Sequence, residues 1–274
     1  MNGKTRQYLC CSLLLLFSMG HAVSKRVLIG SPVRRDATIL QEFLYSLEQV
    51  KKETYSVDYY FVDDNDDPNA SQLLQDFATR NEHCLVIREI DEKSSFICDD
   101  TMHHWDDTLI DRVTRFKNDM ITYAIQHEYD YLFLIDSDLL LYPETIEHLI
   151  TTEKDIISEV FWTKWQPNTD PLPQVWQYDV YGLREGFVEQ LKYPGIYEVG
   201  GLGACTLITR KALQSGVNFS RLHNVSFWGE DRHFCIRAVA LGFTLYVDTH
   251  FPAYHIYRKA ELAGVADFKK KVGW

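Results

Sequence analysis

The sequence predicts an α/β fold, an open and mostly parallel Rossmann-like sheet with helices on both faces. Three observations carry that expectation. From Lys25 onward, short apolar runs alternate with segments of helical periodicity. Nearly every run ends in a polar or turn-forming cluster, as strands feeding loops do. No Gly/Ser or Pro-rich linker, repeat or low-complexity stretch divides the 274 residues. They read as a single domain over residues 25–258, with a leader at 1–24 and a tail at 259–274.

Taken in order, Arg26–Gly30 is a short apolar run stopped by Gly30-Ser31-Pro32, a buried first strand and its exit loop. Ile39, Leu40, Phe43, Leu44 and Leu47 then share one helical face. Val57–Val62 is the second strand, closed by the acidic run Asp63-Asp64-Asn65-Asp66-Asp67-Pro68. Leu73, Leu74 and Phe77 mark the next helix, and Cys84–Ile90 the third strand. A long helix follows from about Thr108 to Glu128, with Leu109, Val113, Met120, Ile121, Ala124 and Ile125 turned inward. Tyr131–Ile135 is a fourth strand running straight into Asp136-Ser137-Asp138. Pro143 is placed to open a helix, where its missing N–H costs nothing, and Asp155–Phe161 gives a fifth strand. Beyond it, Gly195–Val199, Ala204–Thr209 and Phe243–Val247 read as strands and Glu230–Leu241 as a helix.

Composition narrows the partners. A formal net charge of −11 argues against nucleic acid, whose backbone requires clustered cations. It leaves room for a nucleotide whose few phosphates are neutralised by a metal on carboxylates. Lys4 and Arg6 precede an apolar run from Tyr8 to Met19, and Gly20-His21-Ala22 supplies small residues. The pattern matches an export signal and is short for a membrane span. The alternative is a loosely ordered N-terminus with weak membrane association. The cysteines contain no CxxC pair, so buried free thiols are the simpler expectation. Three sequons begin at Asn69, Asn218 and Asn224 and matter only on a eukaryotic secretory route.

Asp136 and Asp138 carry the strongest chemical signal. In extended backbone, residues two apart point the same way, so both carboxylates can face one hard cation, Mn²⁺ or Mg²⁺. The competing account is a solvated strand-end turn. Glu230 and Asp231 open a helix, where acids often serve only as caps. Their functional alternative is a general base that takes a hydroxyl proton, with Trp228 beside them offering an apolar face. Gly200-Gly201-Leu202-Gly203 is glycine-dense enough to let backbone approach a ligand, or to make a tight turn. It lacks the Lys and Ser/Thr of a P-loop, which excludes an ATPase reading. His103-His104-Trp105 and His250 are weaker candidates, whereas His255, beyond the last strand, can supply an imidazole as third metal ligand.

These residues resemble the GT-A-fold glycosyltransferases, of the large family 2 type and bacterial in character, over nearly everything from Arg26 to about Arg258. The motifs are Val62-Asp63-Asp64, Lys117-Asn118 with Ala124, Phe133–Asp138, Gly200-Gly201 and Trp228-Gly229-Glu230-Asp231. The resemblance implies a nucleotide-sugar donor, a glycan, lipid-linked or protein acceptor, and Mn²⁺ or Mg²⁺. It implies that Pro32 and Asp64 cradle the nucleoside and that Lys117 takes the family's basic donor position. Arg34 in the loop after strand one, Gly201 in the glycine run and the Trp228 face are read beside them as further donor contacts. It implies Asp136 near ribose and metal, Asp138 as direct ligand, and Asp231 as the base of an inverting transfer. The family's Asp-Asp-Gly-Ser after strand two is here Asp63-Asp64-Asn65-Asp66. It also implies the cytoplasmic face, where nucleotide sugars are made, in tension with the signal-like leader.

Two other readings are weighed. A haloacid dehalogenase-type phosphatase carries its Asp-x-Asp on the first strand with Thr or Val two residues on; here the motif is on the fourth and Leu140 follows. A non-catalytic sugar- or nucleotide-binding protein on a decayed transferase fold is opposed by intact Asp136, Asp138 and Asp231.

Overall fold

The computed structural model describes residues 24–89, 106–179, 182–226 and 229–274. Residues 1–23 of the leader, His103-His104-Trp105 and Trp228 lie outside them. The described chain runs β1 (Lys25–Val33), α1 (Ala37–Gln49), β2 (Tyr55–Asp63), α2 (Pro68–Arg80), β3 (Cys84–Arg88), α3 (Asp107–Gln126) and β4 (Tyr131–Leu134). It continues through β5 (Leu139–Leu140), α4 (Thr145–Thr151), β6 (Ile156–Thr163), β7 (Leu172–Pro173), β8 (Val175–Trp176) and α5 (Glu185–Gln190). Then come β9 (Ile196–Val199), β10 (Gly201–Leu202), β11 (Thr206–Thr209), α6 (Arg210–Gln214), α7 (Glu230–Ala240), β12 (Leu245–His255), a 3₁₀ turn (Lys259–Gly264) and α8 (Val265–Val272).

The main sheet has the order β3-β2-β1-β4-β11-β6-β12-β5, with β7 beside β6 and β9 beside β12. β3, β2, β1 and β4 are mutually parallel, and β6 pairs in parallel with β12. Antiparallel β11 joins these two parts. A buried parallel strand faces helices on both sides, and β1 follows that rule. Val27 and Ile29 pack with Leu40, Phe43 and Leu47 of α1 and with Leu74 and Phe77 of α2. Leu28 points the other way, to Phe116, Met120 and Ala124 of α3 and Phe234 of α7. Fully burying each such side chain contributes about 1.5–3 kcal/mol relative to exposure.

Caps set where the loops end. Asp36, Asp67 and Asp106 each accept a backbone N–H at the start of α1, α2 and α3, at 3.0, 2.9 and 2.8 Å. One acid of the run after β2 is therefore a helix cap, and Pro68 takes the first turn of α2. Pro143 lies ahead of its helix rather than opening it, since α4 begins at Thr145. The 259–274 tail is folded onto the domain: Val265 and Phe268 of α8 pack with Ile39, Leu140 and Ile256. Among the described residues, Cys84, Cys205 and Cys235 are free thiols. No described helix is long and apolar enough to cross a membrane.

Candidate active site

Two adjoining cavities open beyond the carboxyl ends of β1 and β4, where the sheet changes direction and ligands of open α/β sheets bind. The larger, about 480 Å³, is lined by Arg35, Lys117, Asp136, Glu230, Asp231 and His255 among others. The smaller, about 80 Å³, is lined by Pro32, Arg34, Asp64 and Asp136 with apolar Val33, Leu109 and Phe116. Asp136 and Arg35 belong to both.

Asp138 is fully buried at the end of the β4 loop. Its Oδ2 accepts the Arg35 guanidinium and lies 3.3 Å from His255 Nε2. The other ring nitrogen, Nδ1, is 3.0 Å from Thr163 Oγ1, which fixes the imidazole plane. Backbone also holds the pair, because the Ile256 N–H donates to the Asp138 carbonyl at 2.9 Å. Asp136 is half-buried on the wall, and burial raises its carboxyl pKa despite the attraction of Lys117. Asp138 and His255 already form a close oxygen–nitrogen pair, whereas Asp136 does not converge on them within 4.8 Å and would have to turn toward them to share an ion. Carboxylate oxygens with one imidazole nitrogen suit Mn²⁺ better than Mg²⁺. The guanidinium lodged on Asp138 shows that this carboxylate already accommodates a cation.

Across the cavity, Lys117 is buried in α3 and donates to Glu230 Oε1 at 2.7 Å and Asp231 Oδ1 at 2.9 Å. Burial disfavours its charge, but Asp231 and Glu230 more than offset this and hold the ammonium protonated. Glu230 is buried, whereas Asp231 is half-buried and lines the cavity. Burial pushes the Asp231 carboxyl up to about 7, with Lys117 pulling the other way. Gly229, at φ 136°, makes the turn that swings both acids inward, and few other residues adopt that conformation.

On the smaller cavity, Asp64 accepts the Arg112 guanidinium and sits 3.6 Å from Arg34. Burial lifts its carboxyl to about 6 against those two arginines. Arg34 also reaches Asp66, tying the loops after β1 and β2 together.

The structure thus brings Asp136, His255, Lys117, Glu230 and Asp231 to one cavity, with Asp138 buried behind it against Arg35 and His255, and Pro32, Arg34 and Asp64 next door. Lys117 holds the two acids of α7. Gly201 lies outside both cavities: a Cβ there would enter the indole of Trp176, so packing of β10 on β8 accounts for the glycine. Gly203 and Gly229 are the glycines that line the cavity, and a Cβ on Gly203 would lie 3.7 Å from Asp231 Oδ2. Sequence reasoning missed Arg35, Thr163 and Gln174. Arg35 carried one weak signal, a basic residue after a strand in line with the Asp-x-Asp loop. Thr163 and Gln174 carried none.

The four parallel strands, the antiparallel β11 and the Asp-x-Asp loop at the end of β4 define a GT-A fold. A family model described as glycosyltransferase family 25, N-terminal domain, matches residues 24–164. The chain belongs to that family; Val62-Asp63-Asp64, Lys117-Asn118 and Phe133–Asp138 fall inside the matched residues, and Gly200-Gly201 and Glu230-Asp231 fall outside them. Among solved structures, S. aureus TarS 1-349 is similar with 13% identity and TM-score 0.53, over 90% of this chain and 65% of that one. The Pyrobaculum calidifontis mannosyltransferase PcManGT, in complex with GDP-Man and Mn²⁺, is similar with 11% identity and TM-score 0.54, over 87% and 59%. GalNAc-T7 with UDP, GalNAc and Mn²⁺ is similar with 13% identity and TM-score 0.56, over 85% and 43%. At such identities the likeness is one of fold, and this chain spans less than two thirds of each of those structures.

Proposed function

We propose that the chain is a metal-dependent glycosyltransferase that moves a sugar from a nucleoside-diphosphate sugar to an acceptor hydroxyl with inversion. One observation carries the reading: Asp136, His255 and Asp231 line one cavity, and Asp138 is buried directly behind His255. Membership of a glycosyltransferase family supports it, as do the GDP-Man and Mn²⁺ named for PcManGT and the UDP, GalNAc and Mn²⁺ named for GalNAc-T7.

Asp136, Asp138 and His255 would hold a divalent ion, Mn²⁺ by their donor types, and that ion would supply positive charge to the diphosphate leaving group. Arg35 adds a fixed cation beside that position. Pro32, Asp64 and Arg34 form a shallow recess for the nucleoside. Asp231 accepts the proton of the acceptor hydroxyl, and Lys117 fixes the carboxylate's orientation while leaving Oδ2 toward Gly203 and the cavity. Trp165, Leu172, Trp176 and Tyr257 line the rest of the cavity and offer apolar faces to an acceptor ring.

The test is nucleoside-diphosphate release from a panel of nucleotide sugars, with Mn²⁺ and with chelator. Metal-dependent release that Asp138→Asn abolishes is the expected outcome. Turnover unaffected by chelator would overturn the metal assignment. Nucleotide binding without any release would favour a binding protein on a transferase fold.

A further inference from the structure

Among the described residues, one group of three metal-ligating side chains has donor atoms within 4.8 Å of one another: His148, Asp248 and His250. His148 comes from the last turn of α4, and the other two from β12. His148 Nε2 is 2.9 Å from Asp248 Oδ2, and His250 Nδ1 is 3.0 Å from the same oxygen. Two imidazole nitrogens therefore converge on one carboxylate oxygen. In a tetrahedral site with metal–nitrogen bonds of about 2.0–2.1 Å, neighbouring donors stand roughly 3.3–3.4 Å apart. Two edges are within half an ångström of that spacing, so small side-chain rotations would admit an ion.

Glu159 on β6 stands in register with Asp248, and both are fully buried. Glu159 Oε1 accepts the Phe251 N–H at 3.2 Å and its carboxyl hydrogen-bonds Asp248, so the Asp248 side chain is held from β6 as well as from the two imidazoles. His250 is exposed and leaves a path and a fourth position to solvent, while the Phe251 ring covers His148 edge-on, 5.1 Å away.

We propose that His148, Asp248 and His250 bind a divalent transition-metal ion, zinc by the nature of the donors, at a site separate from the Asp136/Asp138 cavity. Two imidazoles and one carboxylate are a zinc-type set, and Mg²⁺ and Ca²⁺ favour all-oxygen ligands. The ion would clamp α4 to β12 at the irregularity between Asp248 and Ala253, within which His250 lies. That strand continues to His255, so the clamp lies on the element that carries a cavity ligand.

The test uses Asp138→Asn protein, so that the cavity does not compete, stripped with chelator and titrated with Co²⁺ and then Zn²⁺. One Co²⁺ per chain with a tetrahedral visible absorption band, displaced by Zn²⁺, is expected. His250→Ala and His148→Ala in the same background should each weaken binding by at least about tenfold and remove the band. Because His250 is on the surface, His250→Ala should match its parent's melting temperature in chelator, which separates a lost ligand from a damaged fold. A band and stoichiometry unchanged in both histidine variants would overturn the site, as would absence of the band in the parent protein.

Discussion

Asp231 is the residue whose chemistry depends most on its neighbours. It shares a buried cation with Glu230, and burial outweighs Lys117 to hold its carboxyl near 7 rather than at the ordinary 3.8. Glu230 and Asp136 face it and add to the rise. A base with that pKa is half-ionised at neutral pH, where general-base catalysis works best. Asp231→Asn should therefore cut kcat by about 10²–10⁴-fold while leaving nucleotide affinity unchanged. Wild-type transfer should fall as pH drops below about 7, and steady-state rates across pH would show it. Stability carries the opposite sign. A carboxyl whose folded pKa is raised binds more protons folded than unfolded, so its contribution is complete below pH 3.8 and lost as pH rises through about 7. The melting temperature of Asp231→Asn relative to wild type should climb across that window. A flat difference would mean that Asp231 titrates where free aspartate does.

At the scale of elements, β10 and β8 form a two-residue ladder, Gly201 opposite Trp176 and Leu202 opposite Val175. The indole fills the space over Gly201, so Gly201→Ala overpacks the ladder and should cost about 1–3 kcal/mol. Urea melts would measure that loss, and a neutral substitution would mean the indole swings aside freely. The same ladder shows what sequence can reveal. β1, β2, β4, α1 and α3 were legible because each buries a full face and so carries a clear period. β5, β7, β8 and β10 are two residues each and exist only because a neighbouring strand passes. Site residues divide similarly. Asp136, Asp138 and Asp231 advertise themselves through a motif or a helix start. The Lys117 bond to Glu230 joins residues 113 apart, and Arg35 reaches Asp138 across 103. Pairings over such separations are products of topology, and no local pattern encodes them.

The molecule as a whole places its cavity on a seam. Arg35 and Asp136 come from the parallel β1–β4 part, and Thr163, His255 and Asp231 from the part built on β6, β12 and α7. A ligand touching both walls binds only when the two parts are assembled, so its binding free energy adds directly to global stability. At a free concentration a hundred times Kd that gain is about 2.7 kcal/mol. For a chain of this size about 2–4 °C accompanies each kcal/mol, giving a rise of roughly 5–10 °C. Differential scanning fluorimetry with UDP, GDP, CDP, TDP and ADP, each with Mn²⁺ or chelator, should find such a rise for at least one nucleotide with metal. It should shrink sharply in chelator and in Asp138→Asn, because carboxylates facing a bare diphosphate repel it. A rise that ignores the metal would place the nucleotide on the arginines of the smaller recess instead. No rise with any of the five would mean that the seam does not bind a nucleoside diphosphate, and the donor assignment would fall with it.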